Sequence, residues 1–391
     1  MTDRPAILGG PPAFDPPLPF AQPTLENKEK VEELIAASLE SGWLTDGPLT
    51  RRLEERVGEQ FGVEHCIAVS SCTTGLLFVI QALALDGVVA LPSFTFTATA
   101  HAVRWNGLQP QFLDCDPATW CLDPDDITGE PDALIGVHVS GVPCDVEGLE
   151  RAAAERGIPL IFDAAHGAGS LAHGPTGTRP LGGSGLAEVF SLTPTKVLSG
   201  AEGGLVTTND VAIAEHVRLA KNYGNPGDYD TRFPGLNGRL SELHAALALV
   251  ALDHLEERVE HRNRVADRYR EILQDVPGVA WQVVNPGDRS SFKDFTILID
   301  ESAFGCSRDD VVAALAAEGI NTRKYYSPPV HRQQAYADVD TPILPVTDRL
   351  GEQVVSLPIW SHLPLEDVER VAGAIVQIQV HAGAIAAAEP D

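Results

Sequence analysis

The chain has 391 residues, 28 of them basic and 55 acidic, for a formal net charge of −27. That length can bury a large core and more than one domain. The charge argues against general binding to nucleic acid or anionic membranes, and it repels anionic substrates at long range. A phosphate site must therefore be built locally, from backbone amides and a few cations. Aromatic residues are 6% of the chain and Met occurs once, so no stacking platform for bases is evident. None of the six cysteines forms a CxxC pair; no metal site is expected, and the thiols read as reduced and cytosolic. The opening MTDRPAILGGPPAF lacks the basic–apolar–small pattern of a signal peptide. No apolar run is long enough to span a membrane. A soluble, cytoplasmic protein is expected.

Residues 1–24 are rich in Pro and Gly and are expected to form an extended arm. The apolar period predicts a helix over 26–41, with Val31, Leu34, Ile35 and Leu39 on one face and Gly42 ending it. A turn over 43–48, containing Trp43, leads to a second helix over 49–61. Residues 65–70 read as a strand. Ser71-Cys72-Thr73-Thr74-Gly75 follows and opens a helix to about Ala84. Small hydroxylated residues at such a turn suit phosphate, because free amides and the helix dipole face the anion. An ordinary N-cap has the same pattern. Val88–Pro92 is the next strand, and 93–99 leads into a helix. An aromatic at a strand end, such as Phe96, can stack on a flat ring or simply pack in the core. Further strands are predicted over 111–113 and 133–139.

The densest chemistry lies between 159 and 208. An apolar run over 159–162 ends on Asp163, with His166 three positions on. Ala187–Ser191 leads into Lys196, and Glu202-Gly203-Gly204 precedes a third run over 205–208. Short apolar runs ending in polar residues read as buried strands of an α/β sheet. Ligands of such sheets sit beyond the carboxyl ends of the strands. Asp163 and Lys196 can then face one crevice. An acid and a lysine held there suggest pyridoxal phosphate (PLP), the lysine as its Schiff-base partner and the acid keeping the pyridine nitrogen protonated. Each residue alone has an ordinary reading, an N-cap for Asp163 and a solvated face for Lys196.

A helix is predicted over 210–221. The loop over 222–239 is long, Gly-rich and polar, which marks function or disorder. One continuous helix is expected over 240–270, bridging two domains. Strands over 280–284, 294–299, 321–324 and 353–357 alternate with helices over 308–318 and 365–378. The Ala-rich, acidic tail after about Gln379 is expected to fray. The expected domains are the arm (1–24), a large domain (25–255) and a small C-terminal one (256–391) that includes the bridging helix.

Asp163-Ala-Ala-His166, then Ser191-x4-Lys196, then Glu202-Gly-Gly is a specific order of motifs. It resembles the DegT/DnrJ/EryC1/StrS family of PLP-dependent sugar aminotransferases, from about Pro19 to about Ile375. The resemblance implies fold type I, an α/β architecture with a large, mostly parallel sheet and a smaller C-terminal α/β domain. It also implies a homodimer with active sites at the subunit interface.

Site roles follow from the same resemblance. Lys196 is the Schiff-base lysine and proton shuttle, Asp163 the partner of the pyridinium nitrogen, and His166 a neighbour of the ring's hydroxyl edge. Cys72, Thr73 and Ser191 lie at the phosphate, Phe96 against the ring, and Asn237 reaches the phosphate of the neighbouring subunit. Trp43, Arg239, Tyr325 and His331 fall on the substrate side. Cys72 replaces the family's usual Gly, and Gly238 stands where a Tyr is common. Glu202-Gly203-Gly204 reads mainly as support under the lysine.

Retention of Lys196 favours transamination over the family's dehydratases, which have lost the lysine, and over a non-catalytic scaffold. GWLTDGP, PSFTFTATAHAVRW and TRKYYSPPVH most resemble enzymes acting on dTDP-4-keto-6-deoxyglucose. The expected reaction is amino transfer from L-glutamate to C-4 of that nucleotide-linked sugar. The alternatives are a C-3 keto sugar or a cyclitol ketone.

Overall fold

The computed structural model describes residues 4–174 and 177–387. Its first strands are β1 (His65–Val69), β2 (Val88–Pro92), β3 (Gln109–Leu113), β4 (Ala133–Val137) and β5 (Leu160–Asp163). A hairpin follows, β6 (Leu171–Gly174) with β7 (Gly177–Pro180), and then β8 (Ala187–Ser191) and β9 (Gly204–Thr208). Seven of these form the central sheet, in the order β1-β9-β8-β5-β4-β2-β3. The five strands from β8 to β3 run parallel, and β9 runs antiparallel to both of its neighbours. The register sets Val137, Asp163 and Val189 side by side, so Asp163 stands level with the carboxyl end of β4.

Neighbouring residues on a strand face opposite sides. Phe162 and Phe190 point into one core, while Ile161 and Val189 point into the other. The helices on this half are α1 (Lys28–Ser41), α2 (Pro48–Phe61), α3 (Cys72–Ala82), α4 (Thr97–Trp105), α5 (Val146–Arg156), α6 (Val211–Ala220) and α7 (Glu242–Asp253). The mostly parallel sheet and its helices have the expected fold type I, α/β character.

The C-terminal part holds α8 (Leu255–Leu273), β10 (Val279–Trp281), β11 (Phe295–Ile299), α9 (Glu301–Phe304), α10 (Arg308–Ala317), α11 (Pro345–Gln353), β12 (Val354–Leu357), α12 (Leu365–Val380) and α13 (Ala382–Ala386). Its three strands pair antiparallel in the order β10-β11-β12. The N-terminal arm joins this core. Phe14 and Leu18 are buried there with β11 and α12, and Glu318 accepts from the amides of Ala6 and Ala13 at 2.6 and 2.8 Å. Helix α8 serves both halves: Leu255 and Val259 pack under the large sheet, whereas Val265, Tyr269 and Leu273 pack in the C-terminal core.

Four expectations differ from the structure. The helix over 240–270 is two helices that meet at His254, whose φ/ψ of −109°/8° is not helical. The break lets α7 lie against α1 and α2 while α8 turns away to cross both cores. Residues 321–324 form no strand; Arg323 alone pairs with Ser356, by bonds of 3.2 and 2.7 Å. The tail does not fray at 379. Helix α12 runs to Val380, and α13 buries Ala382 and Ile385; residues beyond 387 lie outside the described ones. Leu39 is 60% exposed, because it lies about 140° around α1 from the buried Leu34 at 100° per residue. No helix among the described residues is long and apolar enough to cross a membrane.

Candidate active site

Strands β5 and β8 and the opening turn of α3 converge on a cleft of about 290 Å3, at the carboxyl ends of the parallel strands. Asp163 closes β5 and is 4% exposed. Its Oδ2 accepts from Thr99 Oγ1 at 2.7 Å, and its Oδ1 accepts from the Ala165 amide at 3.0 Å. Thr99 comes from α4 and Ala165 from the turn after β5, so a helix and a turn fix this carboxyl group.

Ser71 caps α3 by accepting from the Thr74 amide at 3.0 Å. The opening turn of a helix leaves amides without internal partners. Here that turn, with Thr73, lines the cleft. Gly204 explains how the turn comes so close to the sheet. A Cβ there would stand 2.5 Å from the Cys72 nitrogen. The Gly203-Gly204 pair therefore accommodates the α3 turn, and it supports the lysine loop by pairing Gly204 with Ser191 and by accepting from the Leu192 amide at the Gly203 carbonyl, at 2.9 Å.

Lys196 lies in the loop between β8 and β9 and is half-buried. Among the described residues its Nζ makes no hydrogen bond or ion pair. Burial first, and then the positive charge of Lys293, push it down to about 7. A large share of this amine is therefore uncharged near neutrality. Burial and the charges of Lys196 and Lys293 hold His166 well below the usual imidazole range, so its ring is neutral. Cys72 sits under Asp163, its Sγ 3.9 Å from Oδ1. Burial and then the Asp163 charge raise this thiol well above its ordinary value, which leaves it unreactive. Ser191 and the half-open ring of Phe96, 56% exposed, complete this side of the cleft.

The DegT/DnrJ/EryC1/StrS aminotransferase family model matches residues 25–376. The chain belongs to this family. A dTDP-4-amino-4,6-dideoxy-D-glucose transaminase of Escherichia coli is 32% identical over 368 residues, covering 91% of this chain and 97% of that protein. The solved structure of DesI, described in the presence of its TDP-sugar product, is 38% identical with a TM-score of 0.91 and covers 98% of each chain. DesV of S. venezuelae is 30% identical with a TM-score of 0.86, covering 93% of this chain and 99% of its own.

In this aminotransferase the cleft gathers Cys72, Thr73, Phe96, Asp163, His166, Ser191, Lys196 and Tyr325. Four expected residues lie outside the cleft of this chain. Trp43 is 53% exposed and lies beneath Arg51, 6.0 Å from the guanidinium. Asn237 is exposed, and its side chain accepts from Arg239 Nε at 3.3 Å. Gly238 between them has Phe78 2.7 Å from its Cβ position, which leaves no room for the Tyr that the resemblance suggests. His331 is buried with both ring nitrogens engaged, 2.7 Å from Ser93 Oγ and 3.1 Å from Asp348 Oδ1. In this chain its ring ties the 330s segment to the end of β2 rather than facing the cleft.

Sequence reasoning missed Lys293 and Tyr326, which line the same cleft. Tyr326 packs edge-on against Phe94 at 5.6 Å. Its neighbour Tyr325 did draw notice, and the doubled tyrosine was the available signal. Lys293 stands just before β11 in Ser-Phe-Lys-Asp, at the end of a mostly polar stretch that gives a lysine no distinction.

Proposed function

We propose that this aminotransferase holds PLP in the cleft and moves an amino group from L-glutamate to C-4 of a dTDP-linked 4-keto-6-deoxy sugar. The observation that carries the reading is one cleft with a buried acid, Asp163, and an amine, Lys196, lowered to about 7 and engaged by none of the described residues. The residues present fit the cofactor. The opening turn of α3, with Thr73 and Ser191, suits its phosphate. Asp163 suits its ring nitrogen, and Phe96 offers an open aromatic face. When bound, PLP supplies an electron sink that makes the carbon bearing the amino group acidic.

The chain's own part is to place and to move protons. Lys196 Nζ takes the proton from the donor carbon in one half-reaction and returns a proton to the sugar carbon in the other. An amine held at about 7 can do both near neutral pH. Asp163, fixed by Thr99 and Ala165, is the carboxyl group that would partner the ring nitrogen. Tyr325 and Tyr326 line the same cleft.

The sugar assignment draws on what the E. coli transaminase and DesI are named for. A homodimer in the cytoplasm completes the proposal. Its support is the exposure of Trp43, Leu44, Leu236 and Asn237 on a face that a second subunit can cover. The test is visible absorption of the protein loaded with PLP. L-glutamate should shift the band, and the keto-sugar nucleotide should restore it. A band indifferent to both ligands sinks the transamination reading.

A further inference from the structure

Lys293 is 5% exposed yet lines the cleft with Lys196. An ammonium carries three donors. Asp294 Oδ1 takes one at 2.7 Å, and the ring of Tyr325 lies 5.3 Å from the charge. Among the described residues no other hydrogen bond to Nζ is formed. Two donors thus remain for a ligand.

The fold goes to some length to hold this lysine. Arg262 Nη1 donates to the carbonyls of Phe292 and Lys293 at 2.9 and 3.1 Å. The Ser291 amide donates to Ser170 Oγ at 2.9 Å, and Ser291 Oγ donates to the His166 carbonyl at 2.7 Å. Phe292 takes a φ of 43°, a strained value for an aromatic residue. Such strain collects at functional sites, where the surroundings impose it. Stability does not explain the pair. Buried ion pairs are often matched or beaten by apolar residues of similar size. This pair even leaves Asp294 Oδ2 buried without a partner.

We propose that Lys293 is the recognition site for the α-carboxylate of the amino donor, with Asp294 holding the ammonium in place. The inference rests on the transamination reading. Among the described residues lining the cleft, Lys293 is the one cation besides Lys196. In an α-amino acid the carboxylate is bonded to the carbon that bears the nitrogen. A donor whose nitrogen reaches the Lys196 amine therefore carries its carboxylate nearby. The diphosphate of a sugar nucleotide is set apart from the ketone by the sugar ring, so its charge falls farther out. Lys293 also explains how a chain of net charge −27 can admit an anionic donor.

The test is calorimetric binding of 2-oxoglutarate and of TDP to the PLP-loaded protein. The variants are Lys293→Met/Asp294→Asn, which leaves no unpaired buried charge, and Asp294→Asn alone. The double variant should bind 2-oxoglutarate about 10- to 100-fold more weakly, the worth of one hydrogen bond to a charged group, and TDP unchanged. Asp294→Asn keeps an amide oxygen that can hold the ammonium in place and should bind 2-oxoglutarate at least as tightly as the parent, because a competing anion is gone. That arm stands even if the double variant does not fold. Equal weakening of TDP would assign Lys293 to the diphosphate and overturn the proposal. So would unchanged 2-oxoglutarate binding in the double variant, or a loss of it in Asp294→Asn. The unmodified protein's absorption response to L-glutamate is recorded in the same preparation. No response there fails the transamination reading; a response together with a double variant that binds 2-oxoglutarate normally fails only the role of Lys293.

Discussion

Replacing Arg258 by Met should both destabilise the protein and loosen the lysine loop. Arg258 sits on α8 and is 3% exposed. Its Nη1 donates to the carbonyl of Val197, the residue after Lys196, at 2.8 Å. Its Nη2 donates to the Thr24 carbonyl at 3.0 Å, and its Nε donates to Glu26 at 2.9 Å. Methionine fills much of the same space and offers no donor. Each carbonyl left dry costs about 1–3 kcal/mol. Glu26 keeps a side-chain exposure of 25%, so the ion pair adds at most about 1 kcal/mol. The expected loss is about 4 kcal/mol, with Arg258→Lys near half of that. Urea unfolding followed by two probes measures it, because two cores need not melt together. Acid adds a second reading. Burial opposes ionisation of Glu26, but Arg258 overrides it and holds the carboxyl below its ordinary value of 4.5. The pair's contribution is full above that value and is lost as pH falls through the lower folded one. Arg258→Met should erase this acid-side loss. A midpoint within about 0.5 kcal/mol of the parent, with the same acid limb, would refute the reasoning.

Three further outcomes are expected. In cofactor-free protein, modification of Lys196 by an amine reagent should rise about tenfold per pH unit up to about 7 and then level off, because only the free amine reacts. Peptide mapping checks it, and a rate still climbing at pH 9 contradicts the lowered value. Asp163→Asn keeps an acceptor for the Ala165 amide but removes the charge; amino transfer should fall about 100-fold or more, with the melting temperature nearly unchanged. A collapse of stability instead would make Asp163 a structural residue. Gly204→Ala puts a Cβ 2.5 Å from the Cys72 nitrogen and should push the α3 turn off the sheet. PLP retention in dialysis should drop at least about tenfold, and unchanged retention would show that the turn is not the phosphate's seat.

Local pattern carried most of the large domain. Val88–Pro92 and Ala187–Ser191 have the predicted bounds, because each is a short apolar run buried on both faces. Asp163 and Lys196 were legible because strand-end positions of a parallel sheet share one crevice. What local pattern could not carry was direction. The apolar stretch through Leu252 and Leu255 looks continuous, yet the chain must turn at His254 to enter a second core. His331 looked like a pocket residue in a tyrosine-rich segment, but tertiary partners claimed both of its nitrogens. Lys293 was invisible for the opposite reason. Its importance comes from Tyr325, Asp294 and Arg262, and Arg262 lies far off along the chain.

The docking of the N-terminal arm onto the C-terminal core sets a schedule for biosynthesis. Ala6 and the Glu318 that receives its amide are 312 positions apart. At roughly 5–20 residues per second, the ribosome takes about 15–60 s to deliver that partner. Phe14 and Leu18 are therefore made long before the residues that cover them. The large sheet can assemble while the chain is still growing. The C-terminal core closes only afterwards, and until then the nascent chain carries an uncovered apolar segment.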